Sequence, residues 1–138
     1  YLESTKMFSD GNINVNNLDG TFFIKGKNSR LISEDIDITG NKIDGNFEII
    51  DGVRDIENLF VFDDKKLVIK TDDIIMNSKM AIYNKQKSII ELFENVTIKR
   101  GSEIITGDYG ILDTVKKSYK VSSNNSKKVK AIISESNE

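Results

Sequence analysis

Short apolar bursts separated by polar punctuation run through the chain: GTFFIKG, DIDITG, NLFVFDD, KLVIKTD, NVTIKRG and EIITGD. Ile, Val, Phe and Thr dominate the bursts, and Gly, Asn, Asp and Lys stand between them. Branched and aromatic side chains fit a pleated, half-buried surface, and short runs bounded by turn formers predict antiparallel strands joined by hairpins. The sequence holds no proline, so Gly, Asn and Asp must supply the turns. Side chains alternate between the faces of a strand. Phe22 with Ile24, Leu67 with Ile69, and Val96 with Ile98 are therefore each predicted to share one face.

One segment competes with this reading. In SKMAIYNKQKSIIELFEN, Met80, Tyr83, Lys87, Ile90 and Phe93 recur at helical spacing behind a capping candidate, Ser78. An internal repeat argues for strand instead. Setting LVIKTDDIIMNSKMAIYNKQKSIIEL over VTIKRGSEIITGDYGILDTVKKSYKV with a shift of 29 places Ile69 on Ile98, Met76 on Ile105, Ile82 on Ile111, Lys87 on Lys116 and Leu92 on Val121. The second copy carries Thr-Gly and β-branched residues where a helix would be poor, so both copies read as strand, turn, strand. A third copy, FFIKGKNSRLISEDIDITGN, aligns from Ile24-Lys25, with the looser segment NKIDGNFEIIDGVRDIEN after it. Such units bury their apolar faces by stacking into one continuous inner surface. The fold is expected to be mainly β, as either a filled sandwich or a sheet folded over a greasy interior open to ligand.

Composition narrows the chemistry. At 138 residues the chain suits a single domain. Lys plus Arg number 20 against 22 for Asp plus Glu, interspersed, so the net charge of −2 gives no reason to expect nucleic acid as a partner. Without His or Cys, the commonest general base, the strongest nucleophile and nearly all zinc ligand sets are missing, which argues against an enzyme. No apolar run approaches the roughly 18 residues of a membrane span. The chain begins at Tyr1, so any signal peptide is expected to precede it.

Two chemical motifs fail on their spacing. DGNINVNNLDGT offers Asp10, Asn12 and Asn14 as the opening of a calcium loop, but Val15 stands where that loop needs Gly and Thr21 where it needs a bidentate Glu. An Asn-rich turn is the simpler reading. Asp63-Asp64 and Asp72-Asp73 are adjacent residues, which in a strand face opposite sides, so they read as solvated turns and not as an acid and base pair.

The order of the β-motifs resembles the OstA-like family, the LptA family of periplasmic lipopolysaccharide-transport proteins. ENVTIKRGSEIITGDYGILDTVKKSYKV followed by KKVKAII carries the resemblance best. YLESTKMF looks like the family's first strand, GTFFIKGKNSRLISEDIDI like the next two, and IIDGVRDIENLFVFDDKKLVI like its middle connection. The pattern departs at Gly20-Thr21, Lys65-Lys66, Ser78-Lys79 and Glu94-Asn95.

This resemblance implies a twisted, V-shaped, open antiparallel β-jelly roll formed by residues 1–138 as one domain, non-enzymatic and without cofactor. It implies an apolar groove that binds the acyl chains of lipopolysaccharide (lipid A) in the periplasm. The implied partners are an LptC-like inner-membrane protein and an LptD-like outer-membrane translocon, with end-to-end self-association through the strands at YLESTKMF and KKVKAII. Lys127, Lys128 and Lys130 serve equally well as charges that guard such an edge. The alternation, read in this frame, lines the groove with Leu2, Phe22, Ile24, Ile36, Leu59, Val61, Leu67, Ile69, Tyr83, Leu92, Val96, Ile98 and Ile105. The same residues serve equally in a structural or adhesive β-repeat module with a closed core, or in the periplasmic domain of an LptC-like or translocon component.

Overall fold

The structure, a computed structural model, describes residues 5–33, 36–123 and 130–132. Their strands are β1 (Lys6–Phe8), β2 (Asn12–Asn16), β3 (Thr21–Ser33), β4 (Ile36–Ile50), β5 (Val53–Thr71), β6 (Ile74–Asn84), β7 (Ile89–Arg100), β8 (Glu103–Asp113), β9 (Ser118–Ser122) and β10 (Lys130–Ile132). All belong to one antiparallel sheet in which β3 to β8 pair in chain order. β1 and β2 lie end to end along the outer edge of β3, and β9 and β10 likewise along the outer edge of β8. The segments proposed as edges thus do lie at the ends of the pairing path, while Leu2, Lys127 and Lys128 fall outside the described residues.

The segment with helical spacing is β6, a turn over 85–88, and β7. Its spacing is accidental, because Lys87 sits in the turn while Ile90 and Leu92 follow the strand period into the core. The shift of 29 is a real structural repeat. Ile69 faces Met76 across one hairpin and Ile98 faces Ile105 across the next. The third copy is displaced from the alignment made at Ile24. Leu31, paired with Ile38, occupies the place of Ile69 and Ile98, because Gly26 to Asn28 form a bulge ahead of it and not the hairpin turn.

The segment read as loose is an extended β4–β5 hairpin closed by Asp51 (φ 52°) and Gly52 (φ 80°). Both central residues take positive φ, the backbone that a type I′ turn requires and that Asp-Gly adopts readily. The Asn-rich stretch is likewise partly strand. Asn12–Asn16 pairs with β3, and the turn follows it, with Asn16 Oδ1 accepting the backbone N–H groups of Leu18 and Asp19 at 2.9 and 3.1 Å.

A line of irregularities crosses the sheet: between Lys25 and Ser29, Thr39 and Lys42, Phe62 and Leu67, Asn77 and Met80, and Phe93 and Val96. Gly26, Asn28, Glu94 and Asn95 take positive φ along it. Between Phe62 and Leu67 the Asp63 carboxylate accepts the backbone N–H groups of Lys65 and Lys66 at 2.8 and 2.9 Å, replacing ladder bonds. Bulges bend a strand and add twist, so an aligned row of them folds the sheet into two leaves. The first leaf contains 29–33, 36–39, 67–71, 74–77, 96–100 and 103–107; the second contains 21–25, 42–46, 58–62, 80–84, 89–93 and 109–113.

One contact proves the fold-over. Tyr119 pairs with Leu112, nine residues along β8 from Glu103, a separation of about 30 Å in a straight strand. Its hydroxyl nevertheless donates a hydrogen bond to Glu103 Oε1.

Inward rows run across each leaf. Met7, Leu31, Ile38, Ile69, Met76, Ile98 and Ile105 are successive cross-strand neighbours in the first. Ile24, Ile43, Val61, Ala81, Leu92, Gly110 and Val121 form one row of the second, and Phe22, Gly45, Leu59, Tyr83, Ile90, Leu112 and Tyr119 its neighbour. These rows meet in one apolar cluster. Gly110 marks a close approach of the leaves: a Cβ there would lie 2.9 Å from Val96 Cγ1 and 3.5 Å from Ile98 Cδ1, both first-leaf side chains. Gly110→Val therefore overpacks the inter-leaf core and is expected to cost about 1–3 kcal/mol, seen as a lower urea midpoint at unchanged slope. An unchanged midpoint would show that the leaves do not pack as described.

Candidate functional site

The leaves do not meet everywhere. Between the strand tips lies a cavity of about 310 Å³, lined by Leu31, Ser33, Ile36 and Thr71 of the first leaf and by Val53, Arg54, Asp55, Ile56, Leu59, Tyr83, Lys85, Ser88, Ile90, Thr114 and Lys117 on the other side. Leu31, Ile36, Ile56, Leu59, Tyr83 and Ile90 form an apolar floor because each is the inward residue of its strand near the tip. Arg54, Asp55, Lys85 and Lys117 form a charged rim because each stands where a strand ends or a turn begins. A greasy floor under a polar rim suits an amphiphile, tail inward and head at the mouth.

The groove residues expected from the sequence are brought onto one interior but do not all meet open space. Ile36, Leu59 and Tyr83 line the cavity. Phe22, Ile24, Val61, Leu67, Ile69, Leu92, Val96 and Ile98 are buried in the core around it, and Ile105 packs against that core half-buried. Leu2 lies outside the described residues. The outward expectation for alternate residues also holds, since Lys70 and Lys99 are exposed.

Sequence reasoning did not reach the rim. Arg54, Asp55, Lys85 and Lys117 carry no shared period and come from distant turns, so only the fold-over collects them. Lys85 Nζ donates to both oxygens of Asp55 at 2.5 Å, and that hydrogen bond holds the ammonium above its ordinary pKa. Arg54 lies 5.5 Å over the Phe47 ring and donates from Nε to Asn17 Oδ1 at 3.2 Å, with no carboxylate within ion-pair distance among the described residues. It is the rim cation best placed to meet an external anion.

A clasp closes one end of the mouth. Lys117, in the β8–β9 turn, reaches across to Asp72 Oδ2 and Thr71 Oγ1, both at 3.2 Å, at the tip of β5. Arg100 donates from Nη2 to the Lys117 carbonyl and lies 5.2 Å over the Tyr119 ring, and Tyr119 donates to Glu103. Asp72 and Asp73 are thus turn residues with work to do, Asp73 facing Arg100 Nε at 3.7 Å. That distance exceeds a hydrogen bond, which leaves Arg100 Nε a buried donor without an acceptor among the described residues. The side chains of Lys117 and Asp72 are 26% and 53% exposed, so the pair is worth no more than about 1 kcal/mol. The mouth is latched weakly compared with the core beneath it.

Two further depressions, of about 530 and 390 Å³, lie on the outer face. The first surrounds the bidentate Arg30–Asp37 pair, which holds the Asp37 carboxyl below its ordinary pKa, and the second borders Phe60 and Ile82. The first shares no residue with the inward rows, whereas the second is also lined by Gly45 and Leu59 of one of them.

Among known proteins, the family model described as OstA-like protein matches residues 49–132. No curated protein matches the sequence. Among solved structures, that of LptH from Pseudomonas aeruginosa, the LptA-homologous periplasmic component of a conserved lipopolysaccharide transport device, is similar with a TM-score of 0.76. Identity is 10% over 95% of this chain and 95% of that one, so the likeness is one of fold.

The clasp has a signature in alkali. Burial, aided by the bond to Glu103, pushes Tyr119 up to about 12, and burial with the bond to Glu91 does the same for Tyr109. A phenol whose pKa is higher folded than unfolded adds stability that is complete below about pH 10 and is lost as pH rises toward 12. Titration followed by tyrosinate absorbance should show Tyr109 and Tyr119 ionising late, and Tyr119→Phe should remove one late step. Both ionising near the free value would contradict the clasp.

Proposed function

The chain belongs to the OstA-like family, and from that premise we propose that it is a non-enzymatic periplasmic carrier that takes lipopolysaccharide acyl chains into the space between its leaves and passes them toward the outer membrane. The observation that carries the reading is the cavity between the strand tips, apolar below and charged at its rim, at the mouth of the folded sheet. Each CH₂ kept out of water is worth about 0.8 kcal/mol, so a few carbons of a tail outweigh any single rim contact. Inward apolar rows continue from the cavity across every long strand, the surface along which a tail would lie once the leaves part. Arg54 at the rim is assigned to the lipid's anionic head.

In this proposal the chain works in series with an LptC-like donor at the inner membrane and an LptD-like acceptor at the outer membrane. The edge strands β1 and β10 leave backbone groups open for strand addition by such partners or by another copy. A second reading, a β-module with a closed core, draws support from the complete burial of Ile24, Leu67, Ile69, Leu92 and Ile98.

Site-specific photo-crosslinking separates the two. With the photoreactive group at Ile36 or Leu59 and lipopolysaccharide present, lipid adducts are expected; with it at Lys70 or Lys99, which point outward, none. Equal labelling from both sets, or none from either, would leave the closed module as the better account.

A further inference from the structure

The cavity is small for the cargo the fold suggests. About 310 Å³ stands at the lower end of small-molecule sites, which run from ~300 to ~1,000 Å³. The inward residues beyond it offer no other room, since Ile38, Ile69, Ile98 and Leu112 are at most 1% exposed. A single hydrocarbon tail fits such a space; several tails joined to one head do not. More volume can come only from separating the leaves, and at one end of the mouth they are held by the clasp. Lys117 and Thr71, two of the clasp residues, are themselves part of the cavity wall.

We propose that the clasp selects among lipids by the number of their chains: shut, the mouth admits single-chain amphiphiles, and a multi-chain lipid enters only after Lys117 has released Asp72 and Thr71 and Tyr119 has released Glu103. This rests on the carrier reading above. Three features fit a contact made to be undone. Its ion pair is partly solvated, its arginine keeps one donor unsatisfied, and it joins a turn to a strand tip and not one ladder to another. The opposite boundary of each leaf, along the bulge line, is continuous backbone. The leaves therefore pivot there while the clasp opens.

The chain has no cysteine, so a pair introduced as Asp72→Cys with Lys117→Cys can be bridged by a short thiol-reactive bifunctional linker that reductant cleaves. Binding of lysophosphatidic acid, with one chain, and of lipopolysaccharide, with several, is measured before bridging, after bridging and after reduction. The ratio of lipopolysaccharide affinity to lysolipid affinity should fall by about tenfold or more on bridging and return on reduction. A ratio that bridging leaves unchanged overturns the clasp while leaving the carrier intact. Failure of the unbridged protein to bind either lipid overturns the carrier, and the clasp with it. If the double variant does not fold, Lys117→Met supplies the converse: lipopolysaccharide uptake by the variant should be several-fold faster than by the native chain, and an unaltered rate counts against the proposal.

Discussion

The structure depends on keeping one face of every long strand apolar through a bend. A strand has two faces, and a bulge changes which residues occupy each, so a chain that folds its sheet over must shift its apolar pattern at the bend or turn oily side chains to solvent. This chain makes the shift. Inward positions go from Ile24 to Leu31 in β3, from Ile38 to Ile43 in β4, from Met76 to Ala81 in β6 and from Ile105 to Leu112 in β8, in each case changing between even and odd numbering. In β5 and β7 the irregularity leaves the numbering parity as it was: Val61 to Leu67, Leu92 to Val96. The leaves can face each other because four of the six strands switch parity and the other two pass the bend through irregularities that preserve it, all on a common line.

The same feature decides what alternation alone can read. Within a leaf the period of two is clean, and Phe22, Ile24, Leu59, Val61, Leu67 and Ile69 were assigned inward from it and are buried. Counting onward from Ile24 or Ile36 turns Leu31 and Ile43 outward, and counting from Ile105 does the same to Leu112, yet all three are at 0% exposure. The parity switch hid them. Met76 was recoverable through the repeat of 29, which survives because the two hairpins bulge at equivalent places. Ile90 was recoverable by stepping two from Leu92. The rim was not legible at all, since Arg54, Lys85 and Lys117 converge only after the fold-over and turn chemistry says nothing about which turns will meet.

The family resemblance and the residue pattern contribute different things. The pattern carried the class, the hairpins and most of the inward rows, and would equally have described a closed sandwich. The resemblance supplied the folded-over shape, which the register, the Tyr119–Glu103 bond and the likeness to the LptH structure now bear out. Its lipid and its partners remain part of the proposed function, where the cavity and the open edges give them a physical footing.

The proposed carrier must reconcile a core tight enough to fold with a space loose enough to load, and the bulge line offers a way to do both. Flattening a regular sheet at an arbitrary place would break ladder hydrogen bonds, each leaving polar groups to be resolvated. Along the bulge line the ladder is already interrupted, and groups such as the Lys65 and Lys66 amides bond locally to Asp63, so a change of angle between the leaves need not break those bonds. What opening exposes is apolar surface, and in the proposed function entering acyl chains cover that surface again. The cost of opening and the gain from cargo are thus the same kind of interaction acting on the same side chains. Most of the work of parting the leaves is returned when a tail takes the place of the opposite leaf, and the weak polar clasp at the rim is left to decide when the exchange begins.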